Sequence, residues 1–105
     1  MGRHRFVVEL TRCAEKDIVR YRGFTPRVTR ELLGLEADPF LGHTLRGSLK
    51  TVRSLEFSLP DGQHRAAYVV VDEKHLCLVF LVAPHENFYE KAERRFIALN
   101  RTGRI

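Results

Sequence analysis

Three residue types in this chain suit acid–base chemistry on a phosphodiester: arginine, histidine and a strand-borne carboxylate. Arg65 stands in the middle of a strand pattern. It is a permanent cation whose fork of N–H donors matches two phosphate oxygens. His85 follows a later strand, just past Pro84, and His43 lies in a loop before the first strand of the same group. Imidazole titrates near neutrality, so either histidine suits a general acid or base. Glu56 is expected on the same open face, as a second base or as a partner holding Arg65. Tyr89, one helical turn beyond His85, suits stacking on a base or orienting a phosphate. Arg46, Lys50 and Arg53 add cations for a backbone track.

RNA cleavage needs few parts beyond these. A base takes the proton of a 2′-hydroxyl, a cation stabilises the crowded phosphorane, and an acid protonates the leaving 5′ oxygen. No cofactor or metal is expected, because neither Cys13 nor Cys77 belongs to a CxxC or Cys/His ligand spacing. DNA lacks the 2′-hydroxyl and is not an expected direct partner. His64 and His75 flank turns and read as solvated surface histidines.

The elements that must position these groups follow from periodicity. Phe6 to Leu10 is a short β-rich run. Thr11 suits an N-cap for a helix carrying Cys13, Ala14, Ile18 and Tyr21 at helical spacing, with Gly23 as its stop. Thr25-Pro26 restarts the pattern as a cap followed by proline at the first helical position, and Val28, Leu32 and Leu35 share its apolar face. Phe40 to Ser48 reads as a loop. Strand alternation then runs from Leu49 to Leu59, turns at Pro60-Asp61-Gly62, and resumes with Ala66, Tyr68 and Val70 opposite Arg65, Ala67 and Val69. His75 to Val82 is nearly continuous in apolar residues, as a central strand should be. From Glu86 a helical stripe of Phe88, Ala92, Phe96 and Leu99 appears, with residues 100–105 expected to fray. The order predicts an α+β domain, β-α-α-β-β-β-α, with a curved, mainly antiparallel sheet. Helices are expected on one face, leaving an open catalytic or RNA-binding face with Glu56 and Arg65 on it.

The whole chain of 105 residues is expected to form one domain. Its net charge of +5 and pI near 9.7 favour a polyanionic partner. Both cysteines read as small buried hydrophobes. No apolar run reaches the length of a membrane span, and the basic Met1-Gly2-Arg3-His4-Arg5 start lacks a signal-peptide core, so a cytoplasmic protein with no membrane partner is expected.

The element order, together with Leu45-Arg46-Gly47-Ser48-Leu49, His64-Arg65-Ala66-Ala67-Tyr68 and His85-Glu86-Asn87-Phe88-Tyr89, resembles the RelE/ParE toxin superfamily over Phe6 to Leu99. Within it the chain is most similar to the YoeB and YafQ kinds of the RelE-like branch. The resemblance implies a type II toxin neutralised by a cognate antitoxin, acting at the ribosome as a metal-independent mRNA endoribonuclease. It makes His43, just before Leu45-Arg46-Gly47, an acid/base residue, Arg65 the phosphate-binding arginine, His85 the C-terminal basic residue, and Tyr89 the aromatic that follows. Glu56 is the main departure: Ser54 and Glu56 stand where RelE itself carries a lysine pair. Two other activities fit such a chain: gyrase inhibition of the ParE kind, and binding by a catalytically silent module.

Overall fold

Period-two alternation from Arg53 to Pro84 folds, in the computed structural model, into an antiparallel meander extended by one short strand at each edge. The structure describes residues 5–105; the first four residues of the basic N-terminal stretch lie outside it. Strands β1 (Val7–Leu10), β2 (His43–Thr44), β3 (Arg53–Leu59), β4 (Gly62–Val71) and β5 (Leu76–Pro84) form one sheet in the order β1-β5-β4-β3-β2. β1 runs parallel to β5, and every other neighbour is antiparallel. Helices α1 (Arg12–Val19) and α2 (Thr25–Leu33) join β1 to β2, and α3 (Phe88–Thr102) follows β5. The fold is a mixed α+β domain with an open, mainly antiparallel sheet, in the expected element order with one short strand, β2, added before the meander.

The layering departs from the expectation in one respect. Leu55, Phe57, Ala66, Tyr68 and Val79 pack against Ala14 and Ile18 of α1 and Val28 and Leu32 of α2. On the opposite face, Val52, Ala67, Leu78 and Phe80 pack against Phe88, Ala92 and Leu99 of α3. The helices therefore cover both faces, not one. The cause lies in β5, which is apolar on both sides and must be buried on both. The open region shrinks to the margin of the α3 face along β3, where Glu56 and Ser58 are exposed.

Local chemistry sets the helix boundaries. Thr11 caps α1 as expected, its hydroxyl accepting the Ala14 N–H at 3.2 Å. The helix stops at Val19, well before Gly23, and the chain turns through Arg22 at a φ of +46°. Thr25 is the first residue of α2 and not its cap; its hydroxyl donates instead to the Ile18 carbonyl at 3.3 Å. At the other end α3 continues to Thr102, further than expected, and ends where Gly103 adopts a φ of +76°. Cys77 is buried, which pushes its thiol up to about 11, whereas Cys13 is exposed and contributes nothing to the core.

The stretch before β3 is more ordered than a loop, because Tyr68 reaches out to it. The buried Tyr68 hydroxyl donates to the Pro39 carbonyl at 2.8 Å and accepts the Gly42 N–H at 2.9 Å. That anchorage lays His43 and Thr44 against Ser54 and Arg53 as an edge strand. Only glycine fits at position 42: a Cβ there would lie 2.7 Å from the Ser54 carbonyl oxygen and 2.9 Å from Tyr68 Cε1. Gly42→Ala is expected to cost about 1–3 kcal/mol, as overpacking does. Thermal unfolding reads this directly, and an unchanged midpoint would show that the loop yields freely.

β5 also carries a bulge. Tyr68 pairs with Val79 and Ala67 with Leu81, leaving Phe80 as the extra residue. β1 covers β5 only as far as Val79. Past that point two side chains take over the strand's backbone groups. The Asp17 carboxylate accepts the Val82 N–H at 2.9 Å, and the Arg95 guanidinium donates to the Phe80 carbonyl at 3.0 Å. The two side chains also bind each other through two contacts, at 2.5 and 2.9 Å. Those hydrogen bonds to Asp17 hold the arginine above its ordinary pKa. One ion pair thus ties α1, β5 and α3 together.

Candidate active site

Arg65 sits at the centre of the candidate site because β4 lies between β3 and β5. Across one ladder it faces Glu56, and across the other Ala83. Its Nη2 is 3.3 Å from Glu56 Oε2, and its Cζ lies 5.7 Å from the centroid of the Phe88 ring. The carboxylate and the ring fix the guanidinium while a third of the side chain stays exposed, leaving donors for a ligand.

His85 enters the same corner from the end of β5. Its N–H donates to the Gln63 carbonyl at 3.1 Å, and its carbonyl accepts the Phe88 N–H at 3.2 Å, opening the turn into α3. Asn87 makes that turn at a φ of +56°, a conformation asparagine tolerates better than most residues. The His85 side chain is exposed. Tyr89 is held beside it: its hydroxyl donates to the Arg46 carbonyl at 2.5 Å and ties the first turn of α3 to the Gly47 turn. Ser48 reinforces this contact by donating to Glu93 at 2.6 Å. Arg46 is thereby brought to the α3 side with its own side chain exposed.

The other expected residues are placed elsewhere. His43 pairs with Ser54 on the outer edge of the sheet, while His85 lies opposite Gln63, which pairs with Ser58. Three strands at about 4.8 Å each and four residues at about 3.3 Å each therefore separate the two histidines, roughly 20 Å in all. They do not converge on one rim. Arg53 is also engaged: it donates to the carbonyls of Phe40 and Gly42 and covers the Phe40 ring at 4.9 Å. Lys50 is exposed and makes no ion pair among the described residues.

His64 corrects the surface assignment. It is 3% exposed, stacked on Phe57, and bonded through Nδ1 to the Tyr21 hydroxyl at 2.9 Å and through Nε2 to Asp61 Oδ1 at 2.8 Å. Burial, and then the Asp17 and Asp61 carboxylates, push the Tyr21 phenol up to about 12, so it stays a donor at neutral pH. The Tyr21 hydroxyl and the Asp61 carboxylate thus each hold one ring nitrogen of His64. His75 is exposed as expected and meets the Phe6 ring edge-on at 5.2 Å. The Asp17–Arg95 pair was not anticipated either. Its signal was there, since Asp17 falls within the Ala14, Ile18, Tyr21 stripe of α1, where a lone carboxylate needs a partner.

The chain thus combines an open sheet, two helices on one face and one on the other with a partly exposed arginine on β4. The family model for ParE-like toxins of type II bacterial toxin–antitoxin systems matches residues 24–93. The chain belongs to that family, within the RelE/ParE superfamily. Among solved structures, the RelBE2 toxin–antitoxin complex of Mycobacterium tuberculosis matches at a TM-score of 0.68 and 21% identity, covering 77% of this chain and 99% of that one. A mutant of Escherichia coli RelE in the free state matches at 0.64 and 20%, covering 86% and 97%. The isolated E. coli RelE toxin matches at 0.60 and 21%, with the same two coverages. At these identities the likeness is one of fold. No curated protein matches.

Proposed function

We propose that this toxin is an endoribonuclease that cleaves mRNA on the ribosome and thereby stops translation, acting in the cytoplasm and restrained by a cognate antitoxin. The observation that carries the reading is Arg65, a partly exposed guanidinium flanked by Glu56 on one side and the His85 turn on the other. Arg65 binds the scissile phosphate. Glu56, beside the guanidinium, takes the proton of the 2′-hydroxyl in the place first expected for His43. The 2′ oxygen attacks phosphorus, the bond from phosphorus to the 5′ oxygen breaks, and His85 gives that oxygen its proton. The products are a 2′,3′-cyclic phosphate and a 5′-hydroxyl. Tyr89, fixed by its hydrogen bond to the Arg46 carbonyl, stacks on the base beside the cut. The RelBE complexes among the similar structures support an antitoxin partner.

Induced expression of the wild type beside His85→Ala, with mRNA 5′ ends mapped on translating ribosomes, tests this. New ends clustered at ribosomal A-site codons and lost in the variant are expected. Two observations favour binding without cutting: Glu56 neutralises Arg65 in the free protein, and the matching family model is ParE-like. Growth arrest with a DNA-damage response and no new ends would replace the nuclease by a gyrase inhibitor. No arrest at all would leave a silent binding module.

A further inference from the structure

On the far side of β5 from Arg65 lies a second feature that the proposed chemistry does not use. A groove of about 640 Å³ opens between the end of α1, the turn after it and α3. This volume is within the range of roughly 300–1,000 Å³ that holds small ligands. Its walls carry Arg20, Arg22, Lys91 and Arg94, none of which forms an ion pair among the described residues. Two carboxylates also line it. Asp17 is bound by Arg95, and Asp61 by His64. With Asp17 held by Arg95, the four cations outnumber Asp61 around the cleft and leave it net positive, a charge that attracts a polyanion.

Three further observations say what kind of polyanion. Phe24 stands at the rim with 44% of its surface exposed, where an apolar ring gains by taking a planar ligand against its face. Beneath it the polar floor is pre-organised by the Tyr21–His64–Asp61 chain of hydrogen bonds. Arg22 holds a left-handed φ of +46°, an unfavourable state for a residue with a side chain, and it does so at the mouth of the groove. The groove borders the strand end that leads to the candidate active site. Ala83 and Pro84 line it, Ala83 pairs with Arg65, and His85 is the next residue in the chain.

We infer that this groove holds the single-stranded RNA running on from the cut, with phosphates against Arg20, Arg22, Lys91 and Arg94 and a base against Phe24. The inference rests on the nuclease reading above and adds a second contact, remote from the reacting atoms. An acidic protein segment would satisfy the cations too, but only RNA held in the Arg65 corner would run on past Pro84 into the groove.

The isolated chain binding 2′-O-methyl RNA, which lacks the nucleophile and stays uncut, provides the test. A trinucleotide reaches the Arg65 corner alone, and a decanucleotide reaches both sites. The longer RNA should bind about tenfold tighter by fluorescence anisotropy, as one stacked base and added phosphate contacts would give. Arg20→Ala combined with Arg94→Ala, both exposed positions, should erase that increment and flatten the salt dependence of log K by about 1.4, at roughly 0.7 per phosphate lost. Trinucleotide binding should not move, whereas Arg65→Ala should weaken both RNAs. If the double variant keeps the length increment, the groove does not hold RNA. If it keeps the increment but loses affinity for the cognate antitoxin, the groove is a protein-docking site and the inference is overturned. If the wild type binds neither RNA, the groove inference is overturned, while the nuclease reading is decided separately by the cleavage assay on ribosomes.

Discussion

Arg65→Ala is expected to lower RNA cleavage by about 100- to 1,000-fold, the usual loss when one donor aimed at a developing oxyanion is removed. It should do so without unfolding the protein. The Glu56 partner is about half exposed, and a pair of that kind contributes roughly 0–1 kcal/mol. The contact over Phe88 adds on the order of 0.5–1 kcal/mol. Against this small loss, the phosphorane would lose the guanidinium that binds it. Arg65→Lys separates charge from shape: it keeps the cation but not the two parallel donors, so cleavage should recover only in part. Single-turnover cleavage on programmed ribosomes, paired with thermal melts of each variant, reads both quantities. Cleavage that survives Arg65→Ala in a folded protein would remove this corner from the chemistry altogether.

How far the sequence discloses this arrangement depends on which forces act locally. The pairing of Glu56 with Arg65 is legible, because alternation puts both on the face opposite Leu55, Phe57, Ala66 and Tyr68, and the Pro60-Asp61-Gly62 turn fixes the register of the hairpin. The same alternation places His64 beside Ala66 on the buried face. Its closeness to a turn argues for solvent, and the tertiary contact with Tyr21 decides the outcome. His43 is another matter. A two-residue edge strand has no periodicity of its own, and its place depends on Tyr68 capturing Pro39 and Gly42 from across the fold. The position of α3 was half legible: an apolar run such as β5 demands cover on both faces, and the only remaining apolar stripe is the one from Phe88 to Leu99. The bulge at Phe80 has no local sequence mark. It shows only in the side chains, Asp17 and Arg95, that compensate for it.

That compensation makes the other large effect a structural one. Asp17 is 5% exposed and accepts from Val82 and from both terminal nitrogens of Arg95. Arg95→Ala strips the carboxylate of its counter-charge and leaves it buried, with the Phe80 carbonyl also losing its donor. Removing one member of a buried pair costs about 3–5 kcal/mol. In a domain of this size each kcal/mol moves the melting midpoint by roughly 4–8 °C, so a fall of at least about 12 °C is expected. Asp17→Ala should cost less, because the freed guanidinium, already 31% exposed, can turn toward water. It still leaves the Val82 N–H without its acceptor, which costs about 1–3 kcal/mol. The combined change Asp17→Leu with Arg95→Met replaces both charges by apolar bulk and should recover much of the loss, because burying two charges is itself unfavourable. A double-mutant cycle by denaturant unfolding measures the coupling directly. If the two single changes each cost under about 1 kcal/mol and simply add, the pair does not hold α1, β5 and α3 together, and the bulge must be stable without it.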